Sequence, residues 1–271
     1  MHAFSPAPRD TVLCLHSSAS SGRQWDAIAA GLSPAHAVLA PPLLGYGSRA
    51  PWPLDRALTL DDEAAALEPL LETGAGAVHL LGHSYGGAVA LQLALRRPDA
   101  VASLTLYEPV RFALLFGQRR HADAAEEIVR VGRGLAALVR AGHAHVAGAR
   151  FVDYWSGSGA WQALSPARRD AIAARMAKVS AEFDALFDDA VPPSAYAALR
   201  MPVRLLRGDA SPEPARRVAA RLAEILPCAQ LATLSGAVHM QPVVDPASVV
   251  AALPWWLREE GWMRTDAPVA A

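Results

Sequence analysis

Residues 80–95 read LLGHSYGGAVALQLAL, and this stretch decides how the rest of the chain is interpreted. It begins as an apolar run typical of a buried strand and ends in apolar spacing typical of a helix, so the chain must turn sharply between them. Ser84 lies at that turn, between Gly82 and Gly86. Side chains at the two glycine positions would collide with neighbouring backbone, and the turn strains the serine. The stretch therefore predicts a strand, a tight turn and a helix, with the Ser84 hydroxyl raised above a sheet.

Apolar runs alternate with helical patterns on both sides of this stretch. Such alternation is typical of a mainly parallel sheet with helices on both faces. The predicted strands cover residues 11–16, 37–41, 77–84, 101–108, 203–208 and 229–234.

The alternation stops once, between about Arg111 and Ala198, where no strand pattern is found. Residues 165–189 predict one amphipathic helix, because a Ser-Pro start is followed by apolar side chains at three-to-four spacing. Residues 121–147 predict a weaker, glycine-interrupted helix, and residues 151–161 predict a loop with aromatic anchors.

We interpret residues 111–198 as a helical insertion over the carboxyl edge of the sheet. Residues 1–110 and 199–271 then form the core domain. The alternative is an unrelated second domain. A segment of this length with so much apolar helix surface packs more naturally on the neighbouring core.

Composition excludes several classes of partner. The 271 residues are 52% hydrophobic and 19% charged, which is enough for one α/β domain with a large core. The net charge of −1 gives no electrostatic reason to expect nucleic acid or an anionic membrane as a partner. No signal peptide or membrane span is indicated, so we expect a cytoplasmic protein. The expected partner is a small-molecule substrate. Cys14 and Cys228 predict buried, reduced thiols.

Ser84 is a candidate nucleophile. Its hydroxyl lies at the amino end of the predicted helix, where the helix dipole and free N–H groups favour a developing negative charge. The alternative is that Ser84 only caps the helix. A nucleophilic serine needs a base, and His239 fits best, because its glycine-containing loop follows the last predicted strand and lets an imidazole reach Ser84.

The other histidines fit structural positions. His79 lies inside a predicted strand and is expected in the core, whereas His36 and His121 are expected at the surface. No group of residues has the sequence spacing of a metal site, so neither a metal nor a cofactor is expected.

The order of these motifs resembles that of the α/β-hydrolase family. Strand LCLH at 13–16 with its Ser- and Gly-containing loop, APPLLGYGS at 40–48, the serine turn at 82–86 and the histidine of GAVHM follow one another as in that family. The resemblance implies an α/β-hydrolase fold with a mostly parallel central sheet and helices on both faces. It also implies a helical lid inserted after the family's sixth strand, which is the 101–108 run here.

The resemblance further implies an oxyanion hole built from the backbone N–H groups of Ser18 and Tyr85. Where the family usually has His-Gly, this chain has His16 and Ser17. Ser17 is therefore an alternative to Ser18 as the donor.

Two carboxylates are candidates for the third member of a triad. The family's usual acid lies three residues after a glycine that ends its seventh strand, and that position here holds Ser211, with Asp209 as the nearest carboxylate. Part of the family takes its acid from the end of the sixth strand, where this chain has Glu108. Adjacent parallel strands lie about 5 Å apart, so Ser84 and Glu108 would face one crevice. We favour Glu108 over Asp209; the alternative is that Glu108 only bonds backbone at the start of the insertion.

These residues predict a serine hydrolase that cleaves a small, hydrophobic carboxylic ester or lactone through an acyl-enzyme. Alternatives on the same residues are carbon–carbon bond hydrolysis, hydroxynitrile lyase activity and cofactor-free perhydrolase activity. From another class, the fold could serve a ligand-binding protein without turnover. The side chains expected to line a pocket under the lid, or else to pack the lid on the core, are Phe112, Leu115, Trp155, Trp161 and Met240.

Overall fold

The computed structural model describes residues 9–258 except 33, 35, 48–51, 53, 54, 74 and 75. Its strands form one parallel sheet in the order β2-β1-β3-β4-β5-β6. They are β1 (Thr11–Leu15), β2 (Ala37–Leu39), β3 (Val78–His83), β4 (Ser103–Tyr107), β5 (Val203–Gly208) and β6 (Ala229–Leu234). Each predicted strand is confirmed with small differences at its ends. The outer parts of the predicted core domain, 1–8 and 259–271, lie outside the described residues.

Helices cover both faces of this sheet. The α-helices are α1 (Asp26–Ala29), α2 (Leu60–Leu67), α3 (Tyr85–Arg96), α4 (Ala122–Arg140), α5 (Ala144–Ser156), α6 (Ala160–Ala163), α7 (Pro166–Ala173), α8 (Met176–Phe187), α9 (Glu213–Ile225), α10 (Gln241–Val244), α11 (Pro246–Ala252) and α12 (Trp255–Arg258). Short 3-10 helices include Phe112–Leu115, Arg119–His121 and Pro193–Ala198. No helix in the described part of the chain is both long enough and apolar enough to cross a bilayer.

Strand β1 shows why the strands read as continuous apolar runs. Leu13 and Leu15 belong to the core that α2, α3 and α9 share. Val12 and Cys14 belong to the core on the opposite face, with α1, α11 and α12. Because successive side chains of a strand point to opposite faces, a strand covered by helices on both sides must be apolar at every position.

The strand order places a crevice at the carboxyl ends of β1 and β3. The chain runs from β1 outward to β2 and then returns to β3 on the other side of β1. Leu15 pairs with Gly82, so both strands end at the same level. Ligand sites of open α/β sheets lie at such switch points, and the loop after β1 and residue Ser84 both meet this one.

The segment between β4 and β5 is helical, as expected, and it packs on the sheet. Ile128, Phe151 and Phe183 belong to the same hydrophobic core as Leu104 and Leu205 of the sheet. This shared core agrees with the interpretation of residues 111–198 as an insertion rather than an unrelated domain. The boundaries of the domain division remain a prediction.

Three predictions within this segment are wrong. Residues 165–189 form two helices, α7 and α8, because the chain turns at 174–175. The loop expected at 151–161 is helical as far as Ser156, because Phe151 and Trp155 lie on one buried face of α5. His121, expected at the surface, is buried, at 4% exposure.

Candidate active site

Ser84 occupies a strained turn between β3 and α3. Its backbone has φ of 55° and ψ of −119°, in a region that residues with side chains rarely adopt. The Ser84 N–H donates to the carbonyl oxygen of Tyr107 at 3.0 Å, which holds the turn. A Cβ at Gly86 would lie 2.2 Å from the carbonyl oxygen of Leu15, and one at Gly82 would lie 2.7 Å from the following helix. Both glycines are therefore required by space.

The structure brings Ser84, His239 and Glu108 together. His239 Nε2 lies 2.9 Å from Ser84 Oγ, and His239 Nδ1 lies 2.6 Å from Glu108 Oε2. A carboxylate can only accept, so Nδ1 carries a hydrogen and Nε2 is left to accept the hydroxyl proton of Ser84. In this arrangement the imidazole can remove the Ser84 proton while Glu108 stabilises the resulting positive charge.

Backbone groups at the ends of β4 and β5 hold Glu108 in place. The side chain is fully buried, and its second oxygen accepts a hydrogen bond from the N–H of Gly208 at 2.7 Å. The N–H of Glu108 donates to the carbonyl oxygen of Leu206 at 2.9 Å. Asp209, the alternative acid, is exposed, and its carboxylate accepts from the N–H of Gly236 at 2.7 Å. Geometry thus favours Glu108 as the partner of His239.

The loop that carries His239 is fastened from below by two strand residues. His83 Nε2 donates to the carbonyl oxygen of His239 at 2.8 Å, and the Tyr107 hydroxyl donates to that of Val238 at 2.8 Å. Burial, and then the neighbouring His239, hold the pKa of His83 well below its usual value. His83 is therefore neutral, and its other ring nitrogen accepts from the Gln24 amide at 3.1 Å.

The loop after β1 supplies the candidate oxyanion donors. The N–H of Ser17 already donates to Gln24 Oε1 at 3.0 Å, which favours Ser18 over Ser17 as a donor to substrate. The second candidate donor, the N–H of Tyr85, opens α3 and lies among the first four N–H groups, which have no partner within a helix. Ala19 has φ of 56° and donates its N–H to the Tyr46 hydroxyl at 3.0 Å, so the loop is held in a left-handed turn.

A buried ionic cluster supports this loop from behind. Lys178 Nζ lies 2.8 Å from carboxylate oxygens of both Glu63 and Glu182, and all three side chains are at most 1% exposed. Tyr46 donates its hydroxyl to Glu182 at 2.8 Å. Burial lowers the pKa of Lys178, but the two carboxylates outweigh it and hold this pKa above the usual value. Burial raises the pKa of Glu63. Lys178 and Glu182 lie on α8, so this helix contacts the loop after β1 through the cluster and Tyr46.

A mainly apolar cavity of about 320 Å³ opens above Ser84 and His239. Of the side chains expected to line it, Phe112, Trp155 and Met240 do so. The Trp155 ring lies over the His239 imidazole, with ring centroids 4.1 Å apart. Apolar residues that also line the cavity are Val110, Phe151, Val152, Leu164, Ile172, Phe183, Leu186, Val243 and Val244.

Two of the expected lining residues lie elsewhere. Leu115 is fully buried in the main core, because its 3-10 helix packs between α4 and α9. Trp161 packs its ring against Gly148 of α5, where a Cβ would lie 3.0 Å from the ring. Both residues stabilise the insertion and do not line the cavity.

Comparison with known proteins agrees with this geometry. The sequence model of the alpha/beta hydrolase family matches residues 12–267 of this chain. The chain belongs to the alpha/beta hydrolase family. Its parallel sheet with helices on both faces is the fold that the resemblance implies.

Individual relatives within the alpha/beta hydrolase family are named for action on esters. The lipase LipV of Mycobacterium tuberculosis is 43% identical over 107 residues, which cover 39% of this chain and 40% of that protein. An esterase of the same organism is 34% identical over 134 residues, which cover 49% of this chain and 41% of that protein. The chain thus spans less than half the length of these curated relatives. The structure of a hydrolase from Pseudomonas aeruginosa matches 90% of this chain and 88% of its own, with a TM-score of 0.70 and 22% identity.

Sequence reasoning missed several residues that shape this alpha/beta hydrolase site. Gln24, Tyr46 and Arg175 all hold the loop after β1, Arg175 by donating to the carbonyl oxygens of Ala19 at 2.8 Å and Ser20 at 3.2 Å. Each is a common polar residue outside any recognisable motif, so no local pattern marks it. Only their contacts with the loop reveal their role.

Proposed function

We propose that this chain is a serine hydrolase that cleaves a small, hydrophobic carboxylic ester or lactone. The observation that carries the proposal is the continuous hydrogen-bonded chain from Ser84 through His239 to Glu108, which opens into an apolar cavity. Relatives named lipase and esterase support action on an ester bond.

The reaction begins when His239 Nε2 takes the hydroxyl proton of Ser84. The Ser84 oxygen attacks the ester carbonyl, and the N–H groups of Ser18 and Tyr85 donate hydrogen bonds to the carbonyl oxygen, on which negative charge develops. His239 then returns the proton to the leaving alcohol, which leaves an acyl group on Ser84. A water molecule, deprotonated by His239, attacks the acyl carbon. The bond between this carbon and Ser84 Oγ then breaks, His239 returns the proton to Ser84 Oγ, and the carboxylic acid is released.

The apolar lining of the cavity favours a hydrophobic substrate, and the position of residues 111–198 over the cavity favours the role of a lid. Phe151, Val152 and Trp155 of α5 and Phe183 of α8 form one wall, while the core domain supplies the reacting groups. A substrate must therefore pass or displace the insertion. A small-molecule substrate, expected from the candidate catalytic residues, and a cytoplasmic location, expected from the sequence, are part of this proposal.

Labelling with a fluorophosphonate probe tests the proposal directly, because this probe reacts with activated serines. We expect labelling of one site per chain at neutral pH and none in Ser84→Ala. A folded wild-type protein that stays unlabelled would instead support the ligand-binding alternative.

Turnover of p-nitrophenyl esters of increasing acyl length then tests the substrate class. We expect hydrolysis with a preference for chains long enough to fill the cavity. A protein that is labelled but hydrolyses no ester would favour one of the other reactions of the same triad.

A further inference from the structure

Three potential metal ligands meet at the amino edge of the sheet. Asp10 directly precedes β1, His36 directly precedes β2 and His79 is the second residue of β3. Because β1 lies between β2 and β3, the starts of these strands are neighbours, and Thr11 pairs with both Ala37 and Val78. One ligand atom from each of the three side chains lies within 4.8 Å of the other two.

We propose that Asp10, His36 and His79 bind a divalent transition-metal ion of the Zn²⁺ type. One carboxylate and two imidazoles are ligands that Zn²⁺ takes in proteins, at about 2.0–2.2 Å. Neighbouring ligand atoms around a tetrahedral ion with such bonds are about 3.4 Å apart. Asp10 Oδ2 and His79 Nε2 are 3.7 Å apart, so this pair needs only a small movement. The fourth position of the ion is left for an exchangeable ligand.

Neighbouring groups orient two of the three ligands. Asp10 Oδ1 accepts from the N–H of Ala77 at 2.7 Å, which turns Oδ2 toward His79. His79 Nδ1 lies 2.8 Å from the hydroxyl oxygen of Ser103, which turns Nε2 toward Asp10. Hydrogen bonds of this kind fix the ring orientation of metal-binding histidines.

The position of the three ligands suits a structural ion. Ser84 follows His79 by five residues of strand, about 16 Å along the sheet. The ion would therefore join the starts of three strands and take no part in the chemistry at Ser84.

Titration of the metal-free full chain with Zn²⁺ tests this proposal. The protein should be purified without a polyhistidine tag and treated with EDTA before isothermal titration. We expect one Zn²⁺ per chain, and a melting temperature about 5 °C higher when free Zn²⁺ is 100 times the dissociation constant. Substitution by Co²⁺ should give the visible absorption of a tetrahedral ion.

Variants separate this site from adventitious binding. Asp10→Asn preserves the acceptor that Ala77 uses, and His36→Gln changes a half-buried residue, so both are expected to fold and to bind Zn²⁺ at least 10-fold more weakly. His145→Gln is the matched control, since His145 and Asp170 form an exposed pair at 2.8 Å elsewhere. Its affinity should equal that of wild type. Labelling of Ser84 should be the same in all three variants, with or without metal. Less than one Zn²⁺ per ten wild-type chains, or equal affinity in wild type, Asp10→Asn and His36→Gln, would overturn the proposal.

Discussion

Ser84 and Glu108 show how single residues bear the strain of this site. Both have positive φ, 55° and 43°, although neither is glycine. Such conformations cost about 1–3 kcal/mol each and persist only where neighbours enforce them. Here the enforcing contacts are backbone hydrogen bonds to Tyr107 and Leu206 of the neighbouring strands. The strain turns both side chains toward the crevice where His239 lies.

Substitution can distinguish Glu108 from Asp209 as the acid that assists His239. Glu108→Gln should lower kcat for ester hydrolysis by about 10³–10⁴-fold, because an amide does not stabilise the imidazolium as a carboxylate does. Asp209→Asn should change kcat less than about threefold, since an amide oxygen can still accept from Gly236. Steady-state kinetics on a p-nitrophenyl ester measures both. The reverse ranking would move the acid to Asp209.

Burial of the His16 imidazole should make the free energy of unfolding depend on pH. Burial lowers its pKa from 6.5 to about 4. Between these values the unfolded chain binds a proton that the folded chain does not, so stability rises with pH and is lost on acidification from 6.5 toward 4. In His16→Gln the slope of the unfolding free energy against pH between 5 and 6 should fall by about 1 kcal/mol per pH unit. Urea titrations at several pH values measure this slope, and an unchanged slope would contradict the prediction.

Among the secondary-structure elements, the turn between α7 and α8 contacts the loop after β1. Apolar spacing continues from Ile172 through Met176 to Val179, so the sequence reads as one helix. The chain instead turns at Arg175, whose guanidinium donates to two carbonyl oxygens of the loop after β1. The turn aims Arg175 at that loop.

Arg175→Met should lower kcat/KM for ester hydrolysis by about 10–100-fold. Two charge-assisted hydrogen bonds, each worth about 1.5–3 kcal/mol, fix the Ala19 turn beside the candidate donor Ser18. The rate of fluorophosphonate labelling should fall in parallel. Arg133→Met, at an exposed position of α4, is the control and should retain wild-type rates. Equal kinetics in both variants would contradict the role of Arg175.

The side chains of α5 that line the cavity should determine which acyl-chain length of the ester is preferred. Each methylene that the cavity buries should raise kcat/KM about fourfold, since burial of one contributes about 0.8 kcal/mol. Val152 lines the cavity, and Val152→Trp should shift the preferred p-nitrophenyl ester to shorter acyl chains. Val146 lies on the same helix but is 47% exposed, so Val146→Trp should keep the wild-type preference. A shift in both variants, or in neither, would show that this wall of the cavity does not select the acyl-chain length.

For the whole molecule, the Glu63–Lys178–Glu182 cluster ties the insertion to the core domain. Lys178→Met leaves two buried carboxylates without their counter-charge and should lower the free energy of unfolding by about 3–5 kcal/mol. Arg221→Met removes a surface ion pair with Glu224 and should cost less than about 1 kcal/mol. Urea denaturation compares the two variants. Similar small losses in both would show that the cluster does not stabilise the fold.

Local patterns were sufficient for the strands but not for the contacts between segments. β1 is apolar at every position but its first, and every residue of β3 is buried, because helices cover both faces of these strands. An apolar run of this kind can be recognised in the sequence. Helix α5 was missed because the glycines after Ser156 dominate the local pattern, whereas its buried face is set by packing.

The sequence by itself determined where the strands lie along the chain, the turn at Ser84 and the histidine that could serve it, because periodicity and turn chemistry are local. Only the tertiary structure placed Glu108 rather than Asp209 against His239, selected the residues that line the cavity and brought Asp10, His36 and His79 together. Those outcomes depend on which strand ends become neighbours, and strand pairing joins residues far apart in the chain.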